Sequence, residues 1–334
     1  MAAINAGNKG LHNLGNTCYM NSTLQCLSHL LTFHPRQEFF QAQCTGLEDC
    51  LMNEWYQFQC EMWSNTDNET INPKQLLEMF QQECSTNNIY FENFDQNDVD
   101  EFLHIFLDLL HKDIKRKVII KFNDKINDDG DKIIVKSFQT WKDFYENDYS
   151  YIIHNFHSQL LGLTNCPKCN YCTSSHDPIQ VISLEITNYS KSLYDCFQQY
   201  TKKIVLDNEN SWKCDQCNLS VCPTKKTLLW KTSDILIILL KRYNISRKIN
   251  TMISYPNILD LNDYSMNYGS KKQSKYSLQA FSIHDGGLQG GHYYAVCKNN
   301  LDNQWYQYND ESVRKLSKAE VFNYKPYLFF YKRL

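Results

Sequence analysis

Residues 10–31 read GLHNLGNTCYMNSTLQCLSHLL, a polar, glycine-containing lead that gives way to an apolar periodic run. Met20, Leu24, Leu27 and Leu31 recur at the spacing of one helix face, and Asn16 and Thr17 precede them as candidate caps. Cys18 therefore stands at a helix N-terminus. There the helix dipole and free N–H groups favour a thiolate, moving the thiol from about 8.5 toward neutrality, which is what a sulfur nucleophile requires. The competing reading of this segment alone is a half-buried cysteine at a loop-to-helix junction. Cys26, on the interior of the same helix, reads as a core thiol.

Outward from this helix, Val99, Phe102, Leu103, Phe106 and Leu110 form one apolar stripe over residues 97–111, with Asp98 at its N-terminal end. Residues 54–63 and 73–83 also read as helical, so the first 115 or so residues are mainly α. After Lys117 the texture changes. KFNDKINDDGDK, residues 121–132, suits an exposed loop or tight hairpin turn. Short β-branched and aromatic runs follow at 179–186, 228–230, 235–240, 276–283, 292–297, 305–308 and 327–331, so the second half is mainly β.

Bulk properties narrow the function classes. With 34 Lys+Arg against 37 Asp+Glu, the net charge of −3 offers no field to attract nucleic acid or an anionic membrane. No stretch approaches the ~18 apolar residues of a membrane span, and the N-terminus lacks the apolar core of a signal peptide. In a chain of 334 residues read without an export signal, fourteen cysteines are expected to be reduced thiols, metal ligands or catalytic groups, which places the protein in the cytosol or nucleus.

Far downstream, HDGGLQGGHYY (residues 284–294) sets His292 at the start of a strand after a glycine-rich loop. WYQYNDE (305–311) follows as its candidate hairpin partner and ends in Asn309 and Asp310. An oxygen there can orient the imidazole, giving the nucleophile, base and orienter of acyl transfer. His284, at the other end of the loop, is the rival base. Separately, Cys166-Pro167-Lys168-Cys169 and Cys214-Asp215-Gln216-Cys217 are two C-x2-C knuckles whose four thiolates suit one tetrahedral Zn²⁺. Four protein ligands leave no open position, so that zinc is structural, with Cys172 and Cys222 as spare thiols nearby.

GLHNLGNTCYMNSTLQCL resembles the Cys box, and GGHYYAVCKN with WYQYNDESV the His box, of the ubiquitin-specific proteases. FDQNDVDEFL is similar to the family's acidic motif, and LLKRYN and SYPNILDL to its later segments, so the resemblance covers roughly Gly10 to Tyr331. It implies an α+β, papain-like cysteine peptidase core of thumb, palm and zinc-bearing fingers in a single domain. On that pattern the helical thumb spans about 10–115, the fingers 155–232, and the palm 116–154 and 233–334. The implied activity is hydrolysis of the bond at the ubiquitin C-terminal glycine. Cys18 matches the nucleophile, His292 the general base, Asn309 the residue orienting it with Asp310 as substitute or helper, and Asn13 the oxyanion donor. Asp98 and Glu101 match acidic positions that hold arginines of the ubiquitin tail, although Asn97 stands where the family usually has Gln. Tyr293 is expected along the tail channel. The implied partners are ubiquitin, ubiquitinated proteins and an activating protein that orders the loops around 245–275 and 285–291. The alternatives are an inactive or partner-dependent ubiquitin-binding scaffold and a peptidase for another ubiquitin-like modifier.

Overall fold

A computed structural model describes residues 6–66, 69–91, 97–243, 247–266, 274–287 and 290–334. Residues 94–96 of the acidic motif, and parts of the two loops expected to be ordered by a partner, lie outside the described residues. The N-terminal lobe is helical: α1 (Cys18–Ser28), α2 (Glu38–Cys44), α3 (Leu51–Met62), α4 (Lys74–Thr86) and α5 (Val99–Ile114). Every residue of α1 is buried, so it is the central helix of the lobe, wrapped by the others. Asp98 caps α5 by accepting the Asp100 N–H, and the expected stripe of Val99, Phe102, Leu103, Phe106 and Leu110 is buried. Its rings interlock with those of α1 and α3: Tyr19 meets Phe102 at 5.7 Å and Trp55 meets Phe106 at 5.3 Å. Burying each such ring contributes on the order of 2–3 kcal/mol, which holds α1 in a stiff core.

The region expected to be a loop followed by strands instead holds two more helices, α6 (Asp129–Tyr145) and α7 (Tyr151–Phe156). The polar NDDGD stretch is a helix start. Asp128 accepts the Asp131 N–H as cap, and Asp129 and Asp131 put negative charge on the first turn. A short helix α8 (Leu193–Tyr200) with a Ser192/Asp195 capping box, and α9 (Lys318–Val321), complete the α-helices among the described residues.

The strands are β1 (Gly10–Leu11), β2 (Thr70–Ile71), β3 (Ser158–Asn165), β4 (Cys172–Ile179), β5 (Val181–Glu185), β6 (Ile204–Val205), β7 (Trp212–Lys213) and β8 (Ser220–Val221). They continue as β9 (Thr224–Lys231), β10 (Ile235–Lys241), β11 (Ile258–Asp260), β12 (Lys275–Gly286), β13 (Gly291–Lys298), β14 (Trp305–Asn309), β15 (Ser312–Leu316) and β16 (Leu328–Arg333). The palm sheet runs β15-β14-β13-β12-β16-β10-β5, with β11 paired to β12. In β10, Ile235, Ile237 and Leu239 face the core shared with the helical lobe, while Leu236, Ile238 and Leu240 face a second core under α8. A strand covered on both faces explains the unbroken apolar run. The fingers are the sheet β4-β3-β9-β6 and the β7–β8 hairpin.

Candidate active site

Two distant segments are stitched together around Cys18. Leu11 donates its N–H to the Asp310 carbonyl at 2.8 Å, and the Asn13 N–H reaches Glu311 Oε1 at 3.0 Å. Gly10 lies so close to Glu311 that a Cβ would overlap its carbonyl, so only glycine fits there. Asn13 Oδ1 then accepts the N–H groups of Gly15 and Thr17, shaping the turn that delivers Cys18 to the first position of α1. Cys18 is 5% exposed. Burial pushes its thiol up, the Tyr293 N–H beside the sulfur opposes this, and the Asp310 carboxylate adds to it. Desolvation thus opposes the helix-terminus effect anticipated from the sequence.

His292 opens β13, with Asp285 of β12 opposite it. Gly291 before it packs on the His284 ring and the Asp285 carbonyl, where a Cβ would not fit. His292 Nε2 lies 2.5 Å from Asn309 Oδ1. An amide oxygen only accepts, so the proton sits on Nε2 and Nδ1 is left as the basic nitrogen. Asp310 is 3.8 Å from the same Nε2 and is gripped from the other side: Oδ2 accepts from Asn13 Nδ2 at 2.9 Å and Oδ1 from Asn21 Nδ2 at 2.8 Å. Asp310 therefore ties the Cys18 segment to the histidine. The rival His284 is buried and occupied, its Nδ1 hydrogen-bonded with Tyr243 Oη and its ring tilted against Tyr293 at 4.4 Å. Burial and the Lys248 ammonium push it down to about 4, so it stays neutral.

Asn21 was not singled out in the sequence, although its position one turn after Cys18 was a usable signal, since i and i+3 share a helix face. Asp98 is more committed than expected: besides capping α5, its Oδ2 accepts the hydroxyls of Tyr293 and Tyr327, each at 3.1 Å. Tyr293 is buried between these contacts, and Glu101 is exposed one turn along α5.

At the finger tips the sulfurs of Cys166, Cys169, Cys214 and Cys217 all lie within 4.8 Å of one another, the one such metal-ligand cluster among the described residues. Cys166 to Cys217 is 3.8 Å and Cys169 to Cys214 is 3.6 Å. Tetrahedral thiolates at ~2.3 Å from a metal stand ~3.8 Å apart, so the four cysteines can hold one metal ion. Both knuckles turn alike. Asn170 donates to the Cys166 carbonyl and Asn218 to that of Cys214, and both asparagines adopt left-handed backbone, φ 59° and 58°. Cys172 is exposed and Cys222 bonds Asn208, so neither joins the cluster.

A buried thiol on a helix start, a histidine with a free Nδ1 and an amide holding its other nitrogen form the arrangement of a papain-type thiol hydrolase core. The chain belongs to the ubiquitin carboxyl-terminal hydrolase family, whose model, described as "Ubiquitin carboxyl-terminal hydrolase", matches residues 9–331. It is 31% identical over 339 residues to ubiquitin carboxyl-terminal hydrolase 2 of Bos taurus, covering 98% of this chain and 55% of that protein. To its counterpart of Gallus gallus it is 32% identical over 344 residues, covering 98% and 93%. The chain thus spans about half the length of the bovine relative and nearly all of the avian one. Its fold is similar to that of the solved "SAGA Ubp8/Sgf11/Sus1/Sgf73 DUB module bound to ubiquitin aldehyde", with a TM-score of 0.77, 23% identity, and coverage of 100% of this chain and 71% of that one. Among the described residues no helix is long and apolar enough to cross a membrane.

Proposed function

We propose that the chain is a thiol-dependent deubiquitinase that hydrolyses the peptide or isopeptide bond at the ubiquitin C-terminal glycine. The observation that carries this reading is the union of the Cys18 turn with the His292–Asn309 pair through Asp310, in a member of the hydrolase family. His292 Nδ1 takes the Cys18 proton, the thiolate attacks the glycine carbonyl, and the imidazolium returns the proton to the leaving amine. Water, deprotonated by the same nitrogen, then cleaves the thioester. One N–H of Asn13 Nδ2 is spent on Asp310, and the second is the one to offer to the oxyanion. Asp98 and Glu101, at the start of α5, offer carboxylates to a basic tail, and Tyr293 walls the channel between α5 and the palm sheet.

The relatives' names and the ubiquitin-bound solved neighbour support ubiquitin as the modifier recognised. Burial pushes the Cys18 thiol up, which favours completion of the site by substrate arrival or a protein partner, and the neighbour is itself a multi-protein module. The four finger cysteines we assign to Zn²⁺, which closes the finger tips and takes no part in hydrolysis. Fourteen free thiols suit the reducing cytosol or nucleus. The test is ubiquitin bearing a C-terminal electrophile: wild type forms a covalent adduct and Cys18→Ala does not. An unmodified wild type, or an adduct on Cys18→Ala, overturns the reading.

A further inference from the structure

β12 reaches farther than the strand beside it. Its ladder with β16 ends at Ser282↔Leu328, and the Ser282 carbonyl takes its partner from Tyr327. Successive carbonyls on one side of a strand are two residues apart, so those of His284 and Gly286 point the same way and lie beyond the end of β16. They are part of the hairpin that carries His292, since Asp285 pairs with His292 and Gly286 with Gly291.

A single side chain supplies what the missing strand does not. Lys248 Nζ donates to the His284 carbonyl at 2.6 Å and to the Gly286 carbonyl at 3.1 Å, and lies 3.2 Å from His284 Nδ1. Its backbone is fixed by an antiparallel bridge to Tyr243, whose ring lies 5.8 Å from the ammonium and whose hydroxyl bonds the same histidine ring. His284 in turn packs against the Tyr293 ring, whose hydroxyl bonds Asp98 at the start of α5. The ammonium is half-withdrawn from water, which strengthens its bonds to the two carbonyls.

We propose that Lys248 is a positioning residue that latches the β12–β13 hairpin and so holds His292 in register with Cys18. It does so as a substitute for a neighbouring strand, by charge-assisted bonds to two carbonyls that the palm sheet leaves unpaired. Without it, the end of the hairpin keeps its ladder to β13 and the Tyr243 contact of His284 but loses the ammonium that bonds its two outer carbonyls, and the base samples positions away from the sulfur. The inference rests on the thiol-hydrolase reading only for its effect on turnover; the latch itself is a property of the fold.

The test uses the full chain as wild type, Lys248→Met and Lys248→Arg, with two readouts. Amide hydrogen exchange, followed by mass spectrometry, does not depend on activity: in Lys248→Met the segment covering residues 283–287 exchanges about tenfold faster while β10 and β16 are unchanged, and Lys248→Arg stays near wild type. Turnover of ubiquitin carrying a C-terminal fluorophore falls about tenfold in kcat for Lys248→Met with KM within about threefold, and Lys248→Arg recovers most of it. Unchanged exchange in Lys248→Met, or faster exchange across the whole palm, overturns the latch. So does a loss that appears in KM alone. A wild type that turns over no ubiquitin substrate refutes the proposed function, and the exchange result then still decides the latch.

Discussion

Asp310→Ala is the perturbation that most directly probes how the site is held. Its carboxylate, 12% exposed, lies 3.8 Å from His292 Nε2 and accepts from Asn13 and Asn21. Two unit charges at that separation interact by about 4 kcal/mol at an effective dielectric constant near 20 and by about 1 kcal/mol in water. His292 is 41% exposed, so the lower half of that range applies once the imidazolium forms. Loss of the Asn13 bond adds a further ~1 kcal/mol, because that amide then wanders from the oxyanion position. Together these predict a loss of about 2–3 kcal/mol, or roughly 30- to 150-fold in kcat/KM for ubiquitin-fluorophore hydrolysis. Asn309→Ala removes one short bond to a neutral ring and is expected to cost roughly tenfold. Asp310 also pushes the Cys18 thiol up, so its removal should not slow alkylation of Cys18 by iodoacetamide, a reaction needing only the thiolate. The reasoning is refuted if Asn309→Ala is the more damaging change, or if Asp310→Ala slows alkylation in step with turnover.

Further outcomes follow from buried groups and from the fingers. Because burial pushes the Cys18 thiol up, its alkylation rate should climb steadily from pH 7 to pH 9; a plateau near neutrality would show a preformed thiolate. His29 is fully buried between Gln25, Gly7 and Tyr308 and is pushed down to about 4 by burial. A histidine depressed in the folded state contributes stability that is complete above its unfolded value near 6.5 and is lost as pH falls from there toward 4. Its share of that loss between pH 7 and pH 5 is about 2 kcal/mol, and His29→Gln should narrow the difference in urea midpoint between those two pH values. Metal analysis should find one equivalent of zinc. Cys214→Ser should abolish it and render residues 165–222 protease-sensitive while Cys18 still alkylates; full metal retention would exclude the four-thiolate site.

Much of this was legible in the chain because the signals are local. The apolar spacing around Cys18 and over residues 97–111 marks α1 and α5, and the knuckle spacing marks the four finger cysteines. The α6 helix was missed because its start is written in Asp, Asn and Gly, residues that serve turns and helix caps equally; only the partners that bury Trp141 and Tyr145 decide between them. The push on the Cys18 thiol is nonlocal for a related reason: the helix terminus is a local feature, whereas part of the burial that opposes it comes from segments hundreds of residues away. The roles of Asn21, Tyr327 and Lys248 are likewise nonlocal, since each depends on which carbonyl or carboxylate the topology brings within reach.

The place of β16 in the sheet has a consequence for biosynthesis. β16 lies between β12 and β10, in the interior of the palm, and Tyr327 just before it anchors Asp98. The β12–β13 hairpin can form as it is made, but it cannot join β10 until residues 328–333 have left the ribosome tunnel. At roughly 5–20 residues per second, the Cys18 helix is therefore present for tens of seconds before its base can be fixed opposite it. A chain truncated before Leu328 should therefore leave Cys18 without a histidine held opposite it.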